Sequence, residues 1–124
     1  MDKYEFTILE EPQGKGRPKF TRAGHAYTPE KTRDYERFVR TMYHGAKFDG
    51  ALTVRIKACM KKPMRGAGAY PTKTPDADNI AKAILDALNG VAYDDDKQVV
   101  NLVVMKRWAD KHPMVVVSIE RAEV

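Results

Sequence analysis

The spacing of apolar residues in this sequence switches repeatedly between a period of two residues and a period of about 3.6 residues. Of the features of the sequence, this switching limits the possible folds most strongly. Alternation with a period of two predicts a half-buried strand in residues 4–8 and a second strand in residues 51–60, and the apolar residues 114–120 predict a last strand. Residues 98–107 are apolar on both faces, which predicts a central strand covered on both sides. Helical spacing predicts one helix after Thr28, ending near Gly45, and a second helix from about Asn79 to Leu88.

The resulting order, β-α-β-α-β-β, predicts an α/β (α+β) fold in which two helices pack on a small mixed sheet. The chain has 124 residues, the size of one domain, so we expect residues 1–124 to form a single unit. A single cysteine, Cys59, excludes an internal disulfide framework and a cysteine-rich zinc site. No apolar run approaches the roughly 18 residues of a membrane helix. We therefore expect a soluble cytoplasmic protein without a membrane partner.

Two long basic loops interrupt the predicted elements. Residues 11–29 are rich in Gly, Pro and cations, and we expect a short hairpin around Ala23-Gly24. In this interpretation Thr28 caps the first helix and Pro29 occupies its first position. Residues 61–75 form the second loop, which contains basic residues but no acid.

The formal net charge of +5 conceals two regions of opposite sign. Residues 76–96 contain six aspartates and one lysine, a net charge of −5, whereas the remaining residues contain 21 basic and 11 acidic side chains, a net charge of +10. A basic body indicates a polyanionic partner such as nucleic acid, or simply a lysine-rich surface. An acidic segment would repel the phosphates of such a partner, and a bound divalent cation would remove this repulsion.

The acids fall into two groups, Asp76 with Asp78 and the run Asp94–Asp96. Carboxylates and phosphate oxygens together suit Mg²⁺ or Mn²⁺ and do not suit zinc. Lys82 lies one helical turn after Asp78, where it could contact a scissile phosphate. Structural alternatives remain open: Asp78 is a good N-cap, Asp76 favours the helix dipole, and Asp94–Asp96 could be a solvated turn. The spacing does not establish that the two groups converge.

The string Asp76-x-Asp78-Asn79-x-x-Lys82, followed by Asp86-Ala87-Leu88-Asn89 and Asp95-Asp96-x-Gln98, resembles the RusA family of Holliday junction resolvases. The segments Gly14-Lys15-Gly16-Arg17-Pro18 and Tyr27-Thr28-Pro29 are similar to phage-type members. The resemblance covers essentially the whole chain, in order.

The resemblance implies a homodimeric, metal-dependent endonuclease that nicks two opposed strands of a four-way DNA junction. By position, it implies metal ligands at Asp76, Asp78 and Asp96, with Asp95 as a reserve ligand, and a catalytic lysine at Lys82. The implied cofactor is Mg²⁺, for which Mn²⁺ could substitute, and no organic cofactor is expected. The supporting residues around these ligands would be Asn79, Asp86 and Gln98.

We expect the basic loops to hold the DNA backbone through Lys15, Arg17, Lys19, Arg22, Lys61, Lys62, Arg65 and Lys73. Hydrolysis would leave 5′-phosphate and 3′-hydroxyl ends. Two alternatives stay open: a DNA-binding module without catalysis, and a metal-dependent nuclease for another branched or RNA substrate. The last two predicted strands are apolar enough to form a dimer surface or an ordinary core.

Overall fold

The computed structural model describes residues 2–123, and its element order confirms the predicted β-α-β-α-β-β pattern with one added hairpin. The elements are β1 (Lys3–Ile8), β2 (Lys19–Phe20), β3 (Ala26–Tyr27), α1 (Glu30–Met42), β4 (Leu52–Met60), α2 (Ala77–Leu88), β5 (Val99–Trp108) and β6 (Met114–Arg121), with a short 3₁₀ turn at Asp96–Gln98. The added strands β2 and β3 form the hairpin expected around Ala23-Gly24. Gly24 has a φ of +84°, a conformation that suits glycine at such a turn.

The main sheet is mixed and has the strand order β1-β6-β4-β5. Strand β6 is antiparallel to both of its neighbours, whereas β4 and β5 are parallel and are connected through α2. A parallel pair needs such a crossover, so α2 starts at the carboxyl ends of β4 and β5 and ends near their amino ends. This βαβ unit determines where both groups of acids lie.

The prediction that residues 98–107 form a central strand is wrong. Strand β5 lies at the edge of the sheet, and β4 separates it from β6. Its side chains Val100, Leu102 and Val103 are 59%, 45% and 42% exposed. The apolar run therefore reflects an uncovered strand edge within this chain.

The core lies between one face of the sheet and the two helices. The stripe Ile80, Ile84 and Leu88 of α2 is fully buried against inward-facing strand residues such as Ile56 and Val117. On the opposite face of the sheet, Arg55 and Lys57 of β4 are exposed. In residues 2–123, no helix is long and apolar enough to cross a membrane.

The helix ends differ from the predicted ones by a few residues. Helix α1 begins after Pro29, which occupies the N-cap position predicted for Thr28, and it ends at Met42 before Gly45. Helix α2 begins at Ala77, so Asp76 and not Asp78 occupies its N-cap position. Asp78 lies in the first turn, where its charge still favours the helix dipole.

Candidate active site

The first acidic group lies at the amino end of α2 without protein partners. Asp76 and Asp78 are both exposed, and the Asp76 side chain accepts no capping hydrogen bond. Within residues 2–123, neither carboxylate forms a salt bridge or accepts a side-chain hydrogen bond. Side-chain capping therefore does not explain the acid at Asp76. The structure leaves two oxygen-donor groups free to bind a cation at this end of the helix.

A groove of about 590 Å³ adjoins Asp76 and is lined by both cations and acids. Lys19, Lys31 and Glu11 line it, together with glycines of the first loop and the start of α2. The first loop lies so close to α2 that a Cβ atom on Gly14 would be 2.9 Å from the side-chain nitrogen of Asn79. A Cβ atom on Gly16 would overlap the Thr32 hydroxyl. The two glycines thus allow the basic loop to lie against both helices beside the acids.

The second acidic group is ordered by hydrogen bonds around the 3₁₀ turn. Asp95 caps this turn by accepting from the Lys97 backbone amide at 2.9 Å. The Gln98 amide oxygen accepts from the backbone amides of Asp94 and Asp95, at 2.9 and 3.2 Å. Its nitrogen donates to the carbonyls of Phe48 and Gly50. Gln98 therefore anchors the acidic turn to the loop before β4.

The three acids of this turn differ in their surroundings. Asp94 forms an exposed 2.6 Å salt bridge with Lys47. The hydrogen bond from the Lys97 amide lowers the pKa of Asp95 below its ordinary value of 3.8. Partial burial raises the pKa of Asp96, and so do its hydrogen bond with Asp95 and the negative charges of Asp95 and Asp86. Asp96 is therefore the acid of this turn whose negative charge is least well accommodated.

We predict that Asp96→Asn increases the stability of the metal-free protein at pH 7. The folded-state pKa of Asp96 lies above its unfolded value, so folding favours the protonated form. The ionised Asp96 carboxylate therefore destabilises the folded protein fully at pH values above its folded-state pKa. This effect disappears as the pH falls through that pKa toward 3.8. Thermal unfolding should show a rise in Tm of roughly 1–3 °C at neutral pH and little difference near pH 3.5. An equal rise at both pH values would contradict the electrostatic explanation.

Lys15 joins the first loop to both helices through an ion-pair network. Its ammonium group lies 2.7 Å from Glu36 of α1 and 3.2 Å from Asp86 of α2. Burial lowers the pKa of Lys15, but the hydrogen bonds and charges of these two acids outweigh burial and raise it above 10.5. The structure thus shows Lys15 in ion pairs within the chain, and its contact with DNA stays a prediction. It also pairs Asp86 with Lys15, whereas Lys82 is exposed.

Glu36 belongs to this network and was missed by the sequence reasoning. Its helical position gave no signal, because Glu36 faces a loop that lies 21 residues earlier in the chain. Only the close approach of that loop reveals the contact.

The remaining predicted DNA contacts lie in two exposed basic loops. Arg17, Lys19 and Arg22 are exposed in or beside the β2–β3 hairpin. The second loop carries exposed cations and packs on the carboxyl end of β5, where the Trp108 indole donates to the Gly68 carbonyl at 2.9 Å. Lys73 lies 5.7 Å from the centre of the same indole ring. The exposed cations of the second loop are Lys61, Lys62, Arg65 and Lys73.

Within one chain, the two acidic groups lie at opposite ends of α2. The Asp96 amide donates to the Asn89 side chain at 2.9 Å, immediately after the helix. Asn89 follows Asp76 by 13 residues, which corresponds to about 20 Å along a helix axis. In residues 2–123, no group of three His, Cys, Asp or Glu side chains is close enough to hold a metal ion. The predicted ligands Asp76, Asp78 and Asp96 are therefore not a ready three-carboxylate site in this chain alone.

Comparison with known proteins identifies the family of the chain. Residues 10–120, about nine-tenths of the chain, match the model of the family described as endodeoxyribonuclease RusA. The chain belongs to the RusA family. The matched range spans Asp76, Asp78, Lys82 and Asp96, whose roles stay predictions, and it confirms the family predicted from the acidic motif.

A relative in Bacillus subtilis (strain 168), the uncharacterized protein YqaN, is 30% identical over an alignment 130 residues long. The alignment covers 90% of this chain and 92% of YqaN. Membership of the RusA family identifies the chain as an endonuclease that takes part in Holliday junction resolution during DNA recombination and acts on branched DNA.

Proposed function

We propose that this RusA-family chain resolves four-way DNA junctions as a homodimer, in a Mg²⁺-dependent reaction that makes paired symmetric nicks. The observation that supports this proposal most directly is the pair of partner-free carboxylates, Asp76 and Asp78, next to a groove that Lys19 and Lys31 help to line. Without a cation, these carboxylates would repel a phosphodiester. With a bound cation, the same position would attract the phosphodiester.

The proposed roles of the acids follow from donor chemistry. Asp76 and Asp78 supply carboxylate oxygens, the donor type that Mg²⁺ and Mn²⁺ prefer, and Asp96 is the proposed third ligand. When bound, the cation would neutralise phosphate charge and activate the attacking water. The two carboxylates per chain fit this ion in chemistry, but a single chain does not bring Asp96 to them.

The basic side chains have separate proposed roles. Lys82 lies one turn after Asp78 and is exposed, so its ammonium group can reach a phosphate held at the end of α2. Lys19 lines the groove itself, and the exposed cations of both loops extend the positive surface away from it. These cations would hold the DNA backbone without reading its sequence, and the enzyme would recognise the junction by its shape.

A substrate panel tests this proposal. The wild-type protein is incubated with end-labelled four-way junction, flap, linear duplex and a structured RNA, each with Mg²⁺, Mn²⁺, Ca²⁺ or EDTA. We expect cleavage of the junction with Mg²⁺ or Mn²⁺, at symmetric positions and with ligatable 5′-phosphate ends, and no cleavage in EDTA.

Three outcomes would contradict parts of the proposal. Cleavage in EDTA would exclude metal dependence, and preferential cleavage of the flap or RNA would assign another substrate. Salt-sensitive binding of junction and duplex alike, without cleavage under any metal, would indicate a DNA-binding module that lacks catalysis.

A further inference from the structure

The β2–β3 hairpin projects from the rest of the fold. Within residues 2–123, its two strands pair only with each other, and every residue from 17 to 27 is exposed. Its turn is nevertheless ordered, because the Thr21 amide donates to the His25 carbonyl at 2.9 Å and the Gly24 amide donates to the Thr21 carbonyl at 2.9 Å. A two-stranded ribbon in water gains little from the core. Packing within the chain therefore does not account for the side chains that the hairpin displays.

The base of the hairpin is fixed beside the start of α2. The Lys15 backbone amide donates to the Asn79 carbonyl at 3.1 Å, and the Gly16 amide donates to the Thr32 hydroxyl at 3.1 Å. These two bonds attach the chain before the hairpin to both helices. The Lys19 side chain, at the start of the hairpin, lines the groove beside the first acidic group. The hairpin thus rises from a fixed stem next to the candidate cation site.

The segment that forms the hairpin carries no negative charge. Residues 12–29 contain four Lys or Arg side chains, one His and no acid. Three of these cations, Arg17, Lys19 and Arg22, are exposed in or beside the hairpin. Such a surface attracts a polyanion, and the RusA family acts on one, branched DNA.

An exposed aromatic ring lies among these cations. Phe20 is 69% exposed, and its cross-strand partner Ala26 is too small to cover the ring. The neighbouring cross-strand pair is Lys19 with Tyr27. Successive residues of a strand face opposite sides of a ribbon, so Phe20 lies on the face away from Lys19 and the groove. The ring is therefore available to a partner on the outer face of the hairpin.

An aromatic ring among cations suits DNA whose base faces are accessible. Aromatic side chains stack on bases of any identity. In a linear duplex, adjacent bases are about 3.4 Å apart and already stacked, so a side chain enters only by unstacking a step at a cost in free energy. At an open branch point the arms end, and their last bases have faces that no neighbour covers. A ring delivered there gains stacking without the cost of unstacking.

We propose that the β2–β3 hairpin enters the branch point of the DNA and that the Phe20 ring stacks on a base exposed there, which makes Phe20 a specificity-determining residue. One face of the hairpin, with Lys19, lies toward the strand held at the first acidic group. The other face directs the ring toward a neighbouring arm. Only DNA whose arms separate at this position accommodates both faces, and the inference rests on the proposed junction-resolving function.

Binding without cleavage tests the role of Phe20. Wild type, Phe20→Ala and Phe20→Tyr are titrated in EDTA against a four-way junction and against a linear duplex of the same total length. We expect Phe20→Ala to weaken junction binding by roughly 5- to 100-fold and duplex binding by less than about 2-fold. Phe20→Tyr keeps the ring and should bind both DNAs like wild type. An equal loss on both DNAs, or no loss on the junction, would overturn the proposal.

Two variants provide matched controls. Lys19→Ala removes a cation from the other face of the hairpin, so it should weaken the binding of both DNAs and reduce the salt dependence of both. Leu9→Ala truncates an apolar side chain that is 64% exposed just after β1, outside the hairpin, and it should bind both DNAs like wild type. A junction-specific loss in Leu9→Ala would show that exposed apolar surface anywhere on the chain has this effect, which contradicts the specific role of Phe20.

A fluorescence measurement detects the stacking itself. Phe20→Trp adds an indole to the hairpin, and the emission of wild type, whose one tryptophan is Trp108, provides the baseline. Stacking on a base quenches indole emission, so the junction should quench the added emission and the duplex should not, each at saturation. Equal quenching by both DNAs would mean that the ring contacts ordinary duplex and would overturn the branch-point contact.

Stability and oligomeric state are compared in parallel. Because Phe20 is largely exposed, Phe20→Ala should unfold and sediment like wild type. A smaller oligomer in Phe20→Ala would assign the ring to a contact between copies of the chain and overturn the DNA contact.

These results also separate the two proposals. Phe20-dependent junction binding, without cleavage of any substrate under any metal, would contradict the proposed nuclease function and leave the ring contact in place. Junction cleavage by wild type, together with unchanged junction binding in Phe20→Ala, would contradict the ring contact and leave the proposed function in place.

Discussion

Asp76→Asn is expected to reduce junction cleavage by roughly 10²- to 10³-fold, the loss typical when one electrostatic group of a catalytic site is removed. The substitution removes one of the two partner-free carboxylates at the start of α2 and keeps the shape of the side chain. Junction binding in EDTA should stay the same or strengthen, because one charge that repels phosphate is gone. Single-turnover cleavage and a gel-shift titration on the same junction measure the two effects separately.

The matched control is Asp2→Asn, which makes the same charge change at a side chain that is 97% exposed, far along the sequence from both acidic groups. We expect it to cleave like wild type. Because the Asp76 side chain caps no helix amide, the Asp76→Asn variant should also keep the wild-type free energy of unfolding within about 0.5 kcal/mol. A variant that loses binding and stability together would show that Asp76 has a structural role.

The sequence predicted the elements of the fold better than their neighbours in the sheet. Hydrophobic period identifies a strand or helix from adjacent residues, and the stripe Ile80, Ile84 and Leu88 is buried as its spacing predicts. The position of residues 98–107 depends on which strands flank them, which local periodicity does not encode. An apolar run is equally compatible with a sheet centre and with an edge that another chain covers.

The candidate site shows the same limit. The motif around Asp76, Asp78 and Lys82 specified the family, since its residues are close in sequence. Lys15 shows what the motif could not specify. In the sequence it is one cation of a basic loop, but its ammonium group lies between Glu36 and Asp86, which come from two different helices. That contact depends on tertiary packing, so the distribution of charge along the sequence does not reveal it.

Replacing Lys15 with Met is therefore expected to destabilise the fold by on the order of 2 kcal/mol. The side chains of Glu36 and Asp86 are only 13% and 27% exposed, so the variant leaves two partly buried carboxylates close together without a cation. Chemical denaturation at pH 7 measures the loss.

Arg37→Met is the matched control for this variant. It breaks a pair with Asp34 whose side chains are 74% and 59% exposed, and it should change stability by less than about 0.5 kcal/mol. The double variant Lys15→Met/Glu36→Gln should recover part of the loss, because it removes one of the two uncompensated charges. Suppose instead that Lys15→Met keeps wild-type stability, weakens junction binding and reduces the dependence of that binding on salt concentration. Lys15 would then contact the DNA backbone, and its ion pairs would contribute little to stability.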